Sequence, residues 1–242
     1  MSEFKLPTEI VELPSKGLLY PEDSELAKGT VEIKYMTAKE EDILTNQSYI
    51  SNGTVLDKLL KSLIVSKINF DDLLIGDKNA IMIASRILGY GSEYTFEYNG
   101  ETQTIDLSQI ENKPLNEELF TSRVNEFTFT LPKSKNTITF KLLNHKDEQD
   151  ISRELEGLKK INKDASPELS TRLKYIITSI EGNRERKDIR NFVDNYLLAQ
   201  DSRALREYIK SIQPDVDLTF FPSEGSDRVN IPIGISFFWP DI

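Results

Sequence analysis

The residues of this chain that could do chemistry are few and scattered. The densest carboxylates are Asp71, Asp72 and Asp77 on one loop, with Asp215-x-Asp217 at the start of a later strand. Oxygen clusters of this kind hold hard cations, and a hydrolase could use one to activate water. Asp77 is better placed as the N-cap of a helix, however, and Asp72 as a solvent-facing residue at a helix start. His145, the single histidine, stands one residue past an N-cap, where a solvated position is expected rather than general-base catalysis. Gly89-Tyr90-Gly91 follows a helix instead of joining strand to helix, so it reads as a C-terminal cap and not a phosphate loop. No nucleophile elbow, P-loop or paired-His motif occurs. The expectation is therefore no catalytic residue, no cofactor and no metal. A cryptic metal-dependent hydrolase on Asp71, Asp72 and Asp77 stands last among the readings.

Composition narrows the classes further. The 242 residues hold no cysteine, which removes disulfides, thiolate zinc sites and thiol nucleophiles together. Asp and Glu number 40 against 30 Lys and Arg, a net charge of −10. The excess is uneven: residues 1–143 carry −7, residues 144–212 carry +1 and residues 213–242 carry −4. Nucleic-acid binding would need a basic stripe, and the nearest candidate, Arg184, Arg186, Lys187 and Arg190, is interrupted by Glu185 and Asp188. With 38% hydrophobic residues the chain can bury a core, yet it has no apolar run of membrane-spanning length and no basic-then-apolar leader. No nucleic-acid or membrane partner is expected, and the cytosol is the expected compartment.

The elements follow from periodicity. Pro7, Pro14, Gly17, Pro21 and Gly29 break up residues 1–30, which read as an extended arm laying Leu13, Leu18, Leu19 and Tyr20 on its own core or on another subunit. Val31, Ile33 and Tyr35 alternate as in a half-buried strand, and Thr37-Ala38-Lys39-Glu40 spells a capping box that starts a helix at Ala38. Leu56, Leu59, Leu60 and Leu63 mark a second helix. Ala80, Ile83, Ala84 and Ile87 mark a third, capped by Asp77 and stopped at Gly89. Tyr94, Phe96 and Tyr98 then alternate into Asn99-Gly100, a two-residue hairpin turn.

Similar elements recur later. Phe127 to Leu131 and Ile138 to Leu142 read as strands, and Ile151, Leu155 and Leu158 as a helix. A helix starting at Ser166-Pro167 and running to Gly182 follows, then one through Ile189, Phe192, Val193 and Tyr196. Asp201 caps another that ends before Pro214, and Val216 to Phe220 with Val229 to Ile235 form a last hairpin. Displaced by 107 residues, Val31 to Glu41 lies over Ile138 to Glu148 with strand, cap, Lys and acidic pair coinciding. A displacement of 124 lays Asp77 on Asp201, Ala80 on Ala204 and Thr95-Phe96 on Thr219-Phe220. An internal duplication presents two similar surfaces on one chain, which suits a protein that bridges partners. The predicted fold is α+β in two related halves, each running strand, helices and protruding β-hairpin. The predicted organisation is an arm over 1–30, halves over 31–125 and 126–236, and an aromatic tail over 237–242.

That tail, Phe237-Phe238-Trp239-Pro240, needs apolar surface on both sides of the chain, from its own core or from a partner's groove. Together with Leu13-Pro14-Ser15-Lys16-Gly17-x-x-Tyr20, Val31 to Asp42, Leu74-x-Gly76-Asp77 and Arg86-x-x-x-Tyr90-Gly91, it resembles the baseplate hub subunit family of contractile-tailed, T-even-like bacteriophages, which overlaps with sequences labelled tail assembly chaperones. The resemblance covers nearly the whole chain through short motifs. It implies a non-enzymatic part of the tail baseplate hub, held in a hetero-oligomeric complex with other baseplate and hub proteins. Such a protein would be found in the host cytoplasm during assembly and in the virion tail once built in. The alternative is an assembly chaperone absent from the mature virion. Some relatives carry Cys pairs at the two hairpin tips; here the turns read Tyr98 to Glu101 and Pro222 to Asp227 without cysteine, so no zinc is carried over. The expected partner-binding residues are Leu18, Tyr20, Phe237, Phe238 and Trp239.

Overall fold

Pro7 and Pro14 leave room for one short strand between them, and the chain uses it. In the computed structural model, which describes residues 6–161, 167–222 and 227–238, β1 (Thr8–Glu12) pairs antiparallel with β2 (Thr30–Lys34), setting Val11 opposite Val31. Residues 6–30 are thus not an extended arm. The breakers fall outside the strand and shape the loop that returns from it. Gly17 and Gly29 sit at φ +74° and +72°, and a Cβ on either would come within 2.7 Å of the backbone crossing it.

The capping box forms as its residues predict. Helix α1 (Ala38–Leu44) starts after Thr37, whose amide and hydroxyl both donate to Glu40 Oε2 at 3.0 and 2.7 Å. Short α2 (Gln47–Ser51) leads to α3 (Val55–Leu63), which turns Val55, Leu59, Leu60 and Leu63 inward. Helix α4 (Ile75–Tyr90) begins three residues earlier than expected, with Leu74 as N-cap, so Asp77 lies inside its first turn and is fully buried. β3 (Glu93–Tyr98) and β4 (Glu101–Asp106) close the first half as a hairpin, with Asn99 and Gly100 both at positive φ.

The second half repeats this path. β5 (Phe127–Thr130) pairs with β6 (Thr137–Phe140), followed by α5 (His145–Ile161) and α6 (Glu168–Ile176). The helix expected to run to Gly182 stops at Ile176. Ile177–Ile180 forms β7 instead and pairs with β6, because a β-branched run beside an open strand edge gains more as a strand. Helices α7 (Arg186–Asn195) and α8 (Ala199–Ile212) follow. As with Asp77, Asp201 is not the cap but a buried residue of the first turn, the N-cap being Leu198. The last hairpin is short, β8 (Thr219–Phe220) with β9 (Val229–Asn230). Ile235–Phe238 is a 3-10 turn and not strand. Ser166 and the tip residues 223–226 lie outside the described residues.

The structure extends the repeat beyond what the sequence displayed. Leu13 N donates to Gly29 O and Leu131 N to Asn136 O, at equivalent places in the two strand pairs. Gly17 and Lys135, also equivalent, share positive φ. Lys34 reaches Glu40 at 2.8 Å, and its counterpart Lys141 reaches Asp147 at 2.7 Å. Leu74 and Leu198 cap their helices with nearly the same backbone, φ/ψ −61°/149° and −67°/146°. Among the described residues the fold is mixed α+β with four small antiparallel sheets. One buried apolar cluster runs from Val11 and Val31 through Leu59 and Ile81 to Phe140, Leu205 and Phe237, so the two halves share a core.

Candidate functional site

The carboxylates that could have held a metal do not converge. Asp77 is drawn inward, where its oxygens accept from the Ser15 amide (2.9 Å), the Ser15 hydroxyl (2.6 Å) and the Tyr20 hydroxyl (2.6 Å). The Tyr20 oxygen in turn accepts from Leu74 N at 2.9 Å. Burial pushes the Asp77 carboxyl up, against those hydrogen bonds, and burial beside Asp77 also raises the Tyr20 hydroxyl. Asp72 Oδ2 accepts from Asn69, and Asp71 lies at the surface 3.9 Å from Lys61. Among the described residues no group of three or more His, Asp or Glu could hold a metal ion.

Asp201 repeats the Asp77 arrangement with backbone donors, Lys133 N at 2.7 Å and Ser134 N at 3.0 Å. There burial works to raise the carboxyl, but the amides of that turn outweigh it and hold it low. Each carboxylate fastens the turn after its half's first strand onto the first turn of the half's last α-helix, α4 or α8. Their chemistry is thus spent on folding.

His145 is buried, not solvated, because α5 begins at the junction between the halves. Its Nε2 lies 3.3 Å from Asp57 Oδ2 and its Nδ1 3.3 Å from Lys78 Nζ, while the Phe70 ring meets it edge-on at 4.7 Å. Lys78 also donates to Asp57 at 2.6 Å. Burial raises Asp57, but bonds from His145 and Lys78 prevail and bring it to about 2. This node ties α3, α4 and α5 together. Its neighbour, a depression of about 510 Å3 lined by Tyr20, Asp23, Glu25, Lys67, Asp72 and Asn144, is open and mixed in charge.

The expected partner anchors are placed differently from the prediction. Phe237 and Phe238 are fully buried and Tyr20 nearly so, all three within the chain's own core, while Leu18 is half-buried against it. Arg86 explains the tail: its guanidinium donates to Phe237 O at 2.8 Å, Gly91 O at 2.8 Å and Glu93 O at 3.1 Å, and Tyr94 meets Phe237 edge-on at 4.9 Å. These contacts take up the apolar surface that a partner would have used. Trp239 lies outside the described residues. Three of the four residues of the basic run are likewise engaged. Arg184 forks onto Glu126 at 2.8 Å, Arg190 pairs with Glu154, and Arg186 lies over the Tyr175 ring.

What sequence reading did not single out is the exposed apolar set. Tyr196, expected on the apolar face of its helix, is the C-cap of α7 and 63% exposed, and Leu198, the N-cap of α8, is 45% exposed. The signal was available, since Leu198 stands where the duplication puts Leu74, which is 4% exposed. Among the described residues no helix is long and apolar enough to cross a membrane. Comparisons with protein-family models, with curated proteins and with solved structures found no match.

Proposed function

We propose that this protein is a non-enzymatic component of a contractile-tail baseplate hub, acting through contacts with other hub and baseplate proteins. The observation that carries the reading is that the separate motifs of the resemblance meet one another in space. Ser15 and Tyr20 bond to Asp77, and Arg86 joins Gly91 to Phe237. Short motifs scattered along the chain and joined in one interior support reading them as one structural set. Partner contacts then fall to the exposed surface and not to those motifs.

The test is affinity purification of the tagged protein from cells infected with the parent phage, with bound proteins identified and their ratios counted. Recovery of other baseplate proteins in fixed ratios is the expected result. Recovery of the protein alone, or with nucleic acid, overturns the reading. Mass spectrometry of purified particles then separates a structural component, present at fixed copy number, from a chaperone absent from the virion.

A further inference from the structure

The two halves are joined by a backbone seat. His145 N donates to Leu73 O at 2.8 Å and Ile75 N to Leu143 O at 3.4 Å, an antiparallel bridge centred on Leu74 and Asn144. By the duplication, Leu73-Leu74-Ile75 corresponds to Leu197-Leu198-Ala199, and Leu143-Asn144-His145 to Met36-Thr37-Ala38. Had a two-fold related the halves, Leu198 would meet Thr37 within the same chain. Instead Leu198 and Ala38 are both exposed. Among the described residues, neither the Ala199 and Ala38 amides nor the Leu197 and Met36 carbonyls enter a hydrogen bond. The contact is heterologous and leaves one face of each kind unfilled on every chain.

We infer that the unfilled faces are an interaction surface for a second copy of this chain, Leu197–Ala199 of one copy seating on Met36–Ala38 of the next. The intramolecular bridge is the template for it, and the exposed Tyr196 beside Leu198 adds apolar area. Charge favours the same direction. A head-to-tail contact sets the −7 front against the nearly neutral region that holds α8, whereas front-to-front pairing would set −7 against −7. Heterologous contacts of this type close into rings or run on as filaments. The inference rests on the duplication and not on the hub reading, and purified protein alone tests it.

The experiment is sedimentation velocity on the full chain from micromolar to sub-millimolar concentration, for the wild type, Leu198→Asp and Ala38→Arg. Asp is a favourable N-cap and Ala38 is exposed at the first helical position, so both variants keep the fold, which circular dichroism and thermal melts verify. The wild type is expected to grow past the dimer with concentration, and each variant alone to stay monomeric. Because each variant keeps one intact face, an equimolar mixture is expected to form a dimer and stop there. A wild type that stays monomeric throughout, a variant that associates as the wild type does, or a mixture that stays monomeric overturns the inference.

Discussion

Replacing Glu40 by Gln keeps the side chain's shape while removing the charge that four donors surround. Glu40 Oε1 accepts from Lys34 Nζ at 2.8 Å and Ser62 Oγ at 2.7 Å, and Oε2 from the Thr37 amide and hydroxyl. Burial alone would raise this fully covered carboxyl, but the four bonds outweigh it and bring it from the ordinary 4.5 to about 2. At about 1.4 kcal/mol for each pH unit, that difference stabilises the fold by about 3 kcal/mol at neutral pH. The folded-state value lies below the unfolded one, so this stability is complete above about pH 4.5 and is lost as pH falls toward about 2. Urea unfolding of wild type and Glu40→Gln should therefore differ by about 3 kcal/mol at pH 7, and by about 1 kcal/mol or less at the acid end. Melting at pH 7 should fall by about 6–12 °C. A difference under about 1 kcal/mol at pH 7, or one that does not shrink with acid, would refute the charge-based account.

Asp77→Asn turns an amide nitrogen toward donors of the Ser15 and Tyr20 group, and should cost more than about 2 kcal/mol while speeding amide exchange at Ser15, read by hydrogen exchange. Gly76→Ala puts a carbon 1.9 Å from Pro214 O and must part α4 from the chain after α8, with an expected loss of more than about 2 kcal/mol in denaturant titration. Phe237→Ala should cost about 3–5 kcal/mol in the isolated chain, and truncation before Phe237 should unfold it; thermal melts that match wild type would return the tail to the role of partner anchor.

The α+β class, the Ala38 helix start and the Asn99-Gly100 turn were legible because each is a local signal: an alternation, a cap, a pair of residues that tolerate positive φ. Asp77 and Asp201 were misread for a related reason. An acidic residue near a helix start resembles a cap, and only tertiary structure reveals that the donors come from Ser15 and from Lys133 instead of the helix itself. β1 was hidden by prolines that flank it without entering it, and β7 by a run whose apolar spacing also suits a helix. The tail was ambiguous in principle. Three adjacent aromatics report a need for apolar cover but not whose, and the answer lay with Arg86, about 150 residues away.

The two carboxylate locks show how a duplicated fold can diverge without losing its plan. In the first half Asp77 is held by two hydroxyls and one amide, so its strength depends on Ser15 and Tyr20 being those residue types. In the second half Asp201 draws mainly on two backbone amides, those of Lys133 and Ser134, so the path of that turn carries most of the lock. The first half is therefore the one in which sequence is dictated by the fold, and it is where most of the resemblance motifs lie. In the second half Tyr196 and Leu198 are exposed, at the junction of α7 and α8. The exposed Tyr196 and Leu198 contribute nothing to that lock, whose donors lie on the turn before β6.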